Sequence, residues 1–344
     1  MIKKIFIRDE INIYEQRTPI IPNDIKLLLN NDFIVYVEKS NKRIFTDIEY
    51  INNGAIVTDK KWYDDEFKDA LIVGIKTFNE FNKLNNHKHV NFSHCYKKQK
   101  GSYDILQSYK ISNSVLYDFE YFKIDNKRII SFGKYAGMVG CLLGILQYLT
   151  KVSKGYNIIN LKCWNSIDDM IKDFKLFNCS LLNFKIGVIG PYGQCGNGVI
   201  NILNILNAPY DLIQKNTPKN NLQDYDILFN CILLDDANNE IWFDDKTIFE
   251  KYIVIVDISM DYTKNNNPIK LYDNAMDWKN PILTYNSNVD LVLIDNLPSL
   301  LPYDSSIHFS SLFVKILLEY NNDINKIWHS NKLIFFDQIA RINT

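Results

Sequence analysis

The stretch from Phe184 to Gly198 constrains the fold more than any other part of the chain. It reads Phe-Lys-Ile-Gly-Val-Ile-Gly-Pro-Tyr-Gly-Gln-Cys-Gly-Asn-Gly. A mostly apolar run, Ile186 to Ile189, stops at Gly190. Glycines follow at 193, 196 and 198, and then apolar residues at helical spacing as far as Leu206. The pattern is a strand, a glycine turn and a helix. Such a turn lets the backbone approach a pyrophosphate, and the N–H groups of the helix N-terminus hold the anion. The spacing is G-x-x-G-x-x-G and not the common G-x-G-x-x-G, so a tight βα turn without a ligand is the plain alternative. The chain has only 13 glycines in 344 residues, and four of them fall within these nine positions. That concentration favours a nucleotide.

The rest of the chain reads as an α/β protein of about two domains. Strands are expected at Lys3–Ile7, Phe33–Val37, Ala55–Val57, Leu71–Ile75, Val90–Ser93 and Leu116–Tyr121, with helices opening at Pro22 and spanning Asp47–Asn52. A buried helix is expected over Met138–Leu149, and an amphipathic, largely helical segment over Asn157–Ser180. After the glycine turn, strands are expected at Asp211–Gln214, Ile227–Leu233, Tyr252–Asp257 and Leu291–Ile294. A short helix is expected at Thr247–Phe249, a long one at Ser310–Tyr320 and a helical tail over Lys332–Ile342. This order gives two Rossmann-like domains with mostly parallel sheets and a cleft between them. Residues 1–133 with 322–344 form the substrate-binding and catalytic domain, and residues 134–321 the dinucleotide-binding domain.

Composition bounds the partners. Net charge is -1 with both signs mixed, which points to neither nucleic acid nor an acidic membrane. The longest mostly apolar run, Ala136–Leu149, is too short to span a bilayer, and the charged start from Met1 to Glu10 does not suit a signal peptide. The six cysteines form no C-x-x-C pair and no disulfide-rich pattern, so a reducing, cytoplasmic compartment is expected, and no metal.

Two polar residues stand at the ends of successive strands, Lys76 and His94, and Arg17 follows the first strand. Ligands of open α/β sheets bind at the carboxyl ends of strands. Each residue alone is an ordinary loop residue; together they suggest a polar cluster at one sheet edge.

Several segments, taken in order, resemble one family. They are Glu15-Gln-Arg-Thr-Pro, Gly74-Ile-Lys, Phe92-Ser-His-Cys-Tyr-Lys-Lys-Gln99, Leu116-Tyr-Asp-Phe-Glu120 and Phe132-Gly-Lys-Tyr-Ala-Gly137. The glycine turn, Asn230-Cys231, Val256-Asp-Ile-Ser-Met-Asp261 and Ile294-Asp-Asn-Leu-Pro-Ser-Leu-Leu-Pro302 complete the set. The chain resembles the NAD-dependent, lysine-forming saccharopine dehydrogenases over nearly its whole length, and alanine dehydrogenases more distantly. The resemblance implies oxidation of saccharopine to L-lysine and 2-oxoglutarate, by hydride transfer to NAD and imine hydrolysis. It implies Lys76 and His94 as the acid/base pair. Arg17, Gln99, Arg128, Phe132, Ser259, Met260 and Asp261 match substrate positions. Lys127, Gly190, Gly193, Gln194, Cys195, Gly196, Asn216, Ile258, Ile294, Asp295, Asn296 and Leu297 match cofactor positions. A small-molecule substrate and a monomer are expected.

The chain departs from that family's pattern in places. A lysine is expected at Asn12, arginines at Lys127 and Gln194, and a histidine at Asn296. The acid that holds the adenosine ribose should fall within Gln214–Thr217, which contains no carboxylate. Either Asn216 takes over that role with NAD, the reading adopted here, or Lys215 accepts the 2′-phosphate of NADP. The alternatives to the main reading are another opine- or alanine-type dehydrogenase and a non-catalytic nucleotide-binding relative. Cys195 and Cys231 are expected near each other, because the first and fourth strands of a doubly wound domain are usually neighbours. Two free thiols are expected there, with a disulfide as the alternative.

Overall fold

The computed structural model describes residues 3–97, 101–219, 221–232, 240–260 and 266–342. It divides into two compact units, Met1–Ser131 with Pro302–Thr344, and Phe132–Leu301.

The first unit opens with β1 (Lys4–Ile7), α1 (Pro22–Leu29), β2 (Ile34–Glu38), α2 (Asp47–Asn52) and β3 (Ile56–Thr58). β4 (Leu71–Lys76), β5 (Lys88–Phe92), α3 (Ser102–Ile111) and β6 (Val115–Asp118) follow. The six strands form one parallel sheet in the order β3-β2-β1-β4-β5-β6. The winding reverses between β1 and β4, so the carboxyl ends of those two strands bound the switch point where such sheets take ligands. β4 is apolar and buried along Leu71–Ile75, as a central parallel strand should be. A two-residue hairpin, β7 (Lys123–Ile124) and β8 (Lys127–Arg128), turns on Asp125 and Asn126, both at positive φ.

The second unit begins with α4 (Gly133–Lys154) and α5 (Ile167–Lys175). It continues with β9 (Ile186–Ile189), α6 (Gln194–Ile205), β10 (Asp211–Ile213), β11 (Ile227–Asn230) and β12 (Ile253–Asp257). β13 (Ile282–Asn286) and β14 (Val289–Val292) close the sheet, whose order is β10-β9-β11-β12-β14-β13. Only β13 runs antiparallel. Here the switch point lies between β9 and β11, and the glycine turn stands at it. The strand beside β9 is therefore the third of the unit and not the fourth, because a single strand, β10, lies on its other side.

α4 has 22 residues and is apolar enough to cross a membrane by length and composition, longer than the 14-residue run suggests. Most of it is buried within the second unit: Met138, Leu142, Ile145 and Leu149 join a core with Val199, Leu203, Phe229 and Val256. It meets α6 through glycines. A Cβ on Gly198 would stand 2.0 Å from the Lys134 carbonyl oxygen and 3.0 Å from Gly137 Cα. The two backbones are in contact, and only glycine fits.

Two expected helices are corrected. Over 157–165 the chain is not helical, because its backbone N–H groups are drawn to other loops. Those of Asn160, Leu161 and Trp164 donate to the carbonyls of Lys279, Trp278 and Leu300. The helix starts only where Ser166 accepts the N–H of Asp169 as an N-cap. Thr247–Phe249 is not helical either. The Thr247 hydroxyl accepts the Asp244 N–H and donates to the Asp244 carboxylate, fixing a turn in place of a helix.

The chain returns to the first unit through α7 (Pro302–Leu318) and α8 (Ile327–Arg341). α7 starts eight residues before the expected Ser310. Its serines conceal it in the sequence because they are buried and bonded. Ser306 Oγ accepts the N–H of Thr18, and Ser310 Oγ accepts that of Ile21 and donates to Asp24. α8 covers the edge of β6. Asn331, fully buried, accepts the N–H of Asp118 and donates to its carbonyl, as a further strand would.

If the α4–α6 contact is as close as described, Gly198→Ala must separate the two helices. We expect a loss of about 1–3 kcal/mol, read as a lower urea midpoint. An unchanged midpoint would show that the contact is loose.

Candidate active site

The carboxyl edge of the first sheet gathers the polar residues. β4 carries one extra residue before its end: Val73 pairs with Val90, but Lys76 pairs with Phe92. This bulge puts Lys76 beside the last residue of β5, with His94 two residues further on. Bulges re-aim side chains and recur next to active sites. The two residues expected to share an edge therefore do so.

His94 has a φ of 58°, a left-handed conformation that a side chain rarely adopts. A buried carboxylate holds it there. Asp118, at the end of the neighbouring β6, accepts the N–H groups of both Ser93 and His94 on Oδ2 and that of Glu120 on Oδ1. Burial pushes the Asp118 carboxyl up to about 6, against the pull of those N–H groups. The half-exposed imidazole stacks over Phe92, and its Nδ1 lies 3.5 Å from Glu120 Oε1. The same oxygen lies 3.5 Å from Arg128 Nη1. Glu120 thus bridges a candidate proton-transfer group and a candidate carboxylate-binding group.

Arg17 differs from expectation. It is 3% exposed, and its fork is engaged by Glu15, with Nε donating to Oε1 at 2.8 Å and Nη2 to Oε2 at 2.6 Å. Asn12, where a lysine was expected, closes the turn before Glu15, whose N–H donates to the Asn12 carbonyl. Below Lys76 lies a second buried carboxylate, Glu10. It takes the N–H groups of Ile75 and Lys76 and stands 3.5 Å from Arg8. Sequence reasoning missed the roles of Glu10, Glu15, Asp118 and Glu120. The signal for Glu10 was an acid just past a strand end, read only as a charge against a signal peptide.

In the second unit, Gly190 ends β9 at a φ of 75°, and its N–H donates to the Ile213 carbonyl. A Cβ there would crowd Ile232 and Cys231. Gly196 packs against Gly190 and Pro191, where a Cβ would come within 2.4–2.6 Å. Gly193 is different. It stands at the start of α6, is exposed, and among the described residues a Cβ on it would meet only the Gly190 carbonyl, at 3.8 Å. α6 has no acidic residue in its first turn and no side-chain cap. An open glycine before an uncapped helix fits a pyrophosphate. Cys195 and Cys231 lie in this region as free thiols, and burial pushes the Cys231 thiol well above its ordinary value.

The residues that follow β10, Gln214 to Thr217, include no carboxylate. Asp211 is at its other end, bonded to the Tyr225 hydroxyl. Gln214, the first residue past the strand, donates from Nε2 to the Tyr192 hydroxyl of the glycine turn, and Lys215 and Asn216 are exposed beyond it. Ile258 follows β12 and donates its N–H to the Asn230 carbonyl, with Ser259 and Met260 after it. Ile294 is buried and bridged to Met276, Asp295 is exposed, and Asn296 takes a φ of 73° before a short 3₁₀ turn from Leu297. Phe132 precedes α4, Gln194 opens α6, and Lys127 is exposed on β8. Gln99 and Asp261 lie outside the described residues. Among the described residues no group of His, Cys, Asp and Glu could hold a metal.

The alanine dehydrogenase/PNT N-terminal domain family matches residues 6–139. The NAD(+)-dependent, L-lysine-forming saccharopine dehydrogenase of Candida albicans is 32% identical, with 98% of this chain and 97% of that protein covered. That of Yarrowia lipolytica is 30% identical, with 98% of each covered. Among solved structures, an L-alanine dehydrogenase superposes with a TM-score of 0.72 at 14% identity, over 98% of this chain and 93% of that one. That likeness is one of fold.

The two kinds of glycine separate by mutation. Gly193→Ala should leave thermal stability nearly unchanged yet weaken NADH binding at least about tenfold, measured by nucleotide fluorescence. Unchanged NADH affinity would remove the turn as the pyrophosphate site.

Proposed function

The chain belongs to the family of NAD(+)-dependent, L-lysine-forming saccharopine dehydrogenases, and on that premise we propose that it oxidises saccharopine to L-lysine and 2-oxoglutarate. The observation that carries the reading is the pairing of Lys76 and His94 at the ends of adjacent strands, in a chain similar to these enzymes from end to end. NAD supplies the hydride acceptor, held by the glycine turn and the first turn of α6.

The chemistry needs two proton transfers. The secondary amine must lose a proton before hydride leaves the carbon that becomes the 2-oxo carbon. Water then adds to the resulting imine, and the C–N bond breaks with a proton passing to the departing lysine amine. We assign Lys76 to the amine and His94 to the water. Glu120, with Oε1 3.5 Å from both His94 Nδ1 and Arg128 Nη1, holds the two side chains in place. Arg128 and Arg17 are assigned to the three carboxylates of the substrate. Arg17 reaches them from its pair with Glu15, so it positions through a fixed fork and not as a mobile charge. We further assign Gln99, Phe132, Ser259, Met260 and Asp261 to the substrate. Lys127, Ile258 and Ile294 to Leu297 are assigned to the cofactor. The enzyme is proposed to act as a cytoplasmic monomer on small molecules, without a nucleic-acid or membrane partner.

For the ribose, neutral amides replace the carboxylate: Gln214, fixed by Tyr192, and Asn216. A hydrogen bond accepted from the ribose hydroxyl by a neutral amide is weaker than one accepted by a carboxylate, so NAD is bound less tightly than with an acid at that position. The missing acid, with Asn12 in place of the expected lysine, also favours a non-catalytic nucleotide-binding relative. Turnover of saccharopine by the purified protein, with NAD and NADP in parallel, separates these readings. We expect NADH to form, NAD to be preferred, and Asn216→Asp to tighten NAD binding. No turnover with either cofactor would leave the non-catalytic reading, and an NADP preference abolished by Lys215→Ala would overturn the assignment to NAD.

A further inference from the structure

β1 and β4 part at the switch point. The last backbone bond between them is from the Arg8 N–H to the Val73 carbonyl. Beyond it, the N–H groups of Ile75 and Lys76 have no strand on the β1 side to pair with. Glu10 fills that place with its side chain: Oε1 accepts the Ile75 N–H at 2.5 Å and Oε2 the Lys76 N–H at 3.0 Å. The carboxylate is 4% exposed. Arg8 holds it from the other side, with Nη1 3.5 Å from Oε2. The Arg8 guanidinium lies flat over Gly74, where any Cβ would come within 2.4–2.5 Å of it. Gly74, Ile75 and Lys76 are the residues of the bulge. Lys42 donates to the Glu10 carbonyl and stands 3.3 Å from Asp9, so the segment carrying Glu10 is itself fixed.

We propose that Glu10, held by Arg8, is a positioning residue for the reaction, fixing the bulge at the end of β4 and so aiming the Lys76 amine at the substrate nitrogen. The inference rests on the reading of Lys76 as a proton-transfer group. Burying a carboxylate is costly, and burial pushes the Glu10 carboxyl above its ordinary value even with Arg8 and two N–H groups to offset it. A group needed only for packing carries no such cost. A bulge has two N–H groups to satisfy, and a carboxylate is the one side chain of this length with two acceptor atoms and no donor. Glutamine keeps the shape but turns an NH₂ toward one of the N–H groups. The bulge then loses one of its two anchors, and a small misplacement of a reacting group costs up to about 10²-fold in rate.

The test compares wild type, Glu10→Gln, Glu10→Asp, Lys76→Met and the double variant Glu10→Gln/Lys76→Met. Each is measured for kcat, for the KM of saccharopine and for NADH affinity by fluorescence. Glu10→Gln should lower kcat about 10- to 100-fold, with KM within a few-fold and NADH affinity unchanged. Glu10→Asp, which keeps the charge and one bond, should recover part of kcat; it also serves if Glu10→Gln does not fold. The double variant should be no slower than Lys76→Met alone, because residues acting as a unit are not additive. Full kcat in Glu10→Gln beside an inactive Lys76→Met overturns the positioning role and leaves the assignment of Lys76 intact. A double variant slower than Lys76→Met by the whole Glu10→Gln factor overturns it too, since Glu10 would then act apart from Lys76. Full kcat in Lys76→Met overturns the assignment of Lys76 and this inference with it.

Discussion

Two buried carboxylates take up the backbone N–H groups that the first sheet leaves unpaired at its carboxyl edge. Glu10 accepts those of Ile75 and Lys76, and Asp118 those of Ser93 and His94. A parallel sheet satisfies its backbone only while its strands run side by side. Where β1 diverges from β4, and where β5 passes into a loop, the donors must go elsewhere. Here they go to side chains, so the two residues that carry the proposed proton transfers are fixed through their main chains. The irregularities at this edge, a bulge at Lys76 and a left-handed His94, follow from that arrangement. Each is a local cost of a kind found at sites where geometry matters more than stability.

The second unit solves its own problem with glycine. A helix hydrophobic almost all round, α4, has to lie against the sheet and against α6 at once. Gly137, Gly140 and Gly144 let it do so, since a Cβ at each would collide with Cys195, Ile258 or Val256. Gly198 answers from α6, while Gly196 packs back on the turn at Gly190 and Pro191. Gly193 alone of this set faces open space. The glycines therefore divide by physical role: Gly137, Gly196 and Gly198 meet backbone, Gly140 and Gly144 meet side chains, and Gly193 stands open, although the turn's glycines read as a single motif in the sequence.

Much of the fold was legible because its signals are local. The runs Leu71–Ile75, Ile186–Ile189 and Ile253–Val256 are apolar and bounded by polar or glycine residues, and each is a central strand. What misled was polarity with a tertiary purpose. Ser305, Ser306 and Ser310 interrupt the apolar pattern of α7, yet all three are fully buried and bonded. The periodicity of Ile167, Met170, Ile171 and Phe174 is real, but it cannot reveal that Asn160, Leu161 and Trp164 just before it give their N–H groups to distant carbonyls. In the candidate site, Lys76 and His94 could be found because they follow strands. Glu10 and Asp118 also stand at or just past strand ends, but their accepting of another segment's backbone N–H groups leaves no mark in the sequence. Arg17 stands out as a charge after the first strand, but the sequence does not show that its fork is engaged by Glu15.

The central claim is that Lys76 and His94 divide the proton chemistry of saccharopine oxidation. The pH dependence of kcat/KM for saccharopine, in wild type, Lys76→Met and His94→Gln, tests it most directly. The account predicts a bell-shaped wild-type profile, and in each variant a loss of rate together with the disappearance of one limb. Wild-type turnover with both limbs and nearly full rate retained in both variants would contradict it, and the proton carriers would then have to be sought in other residues.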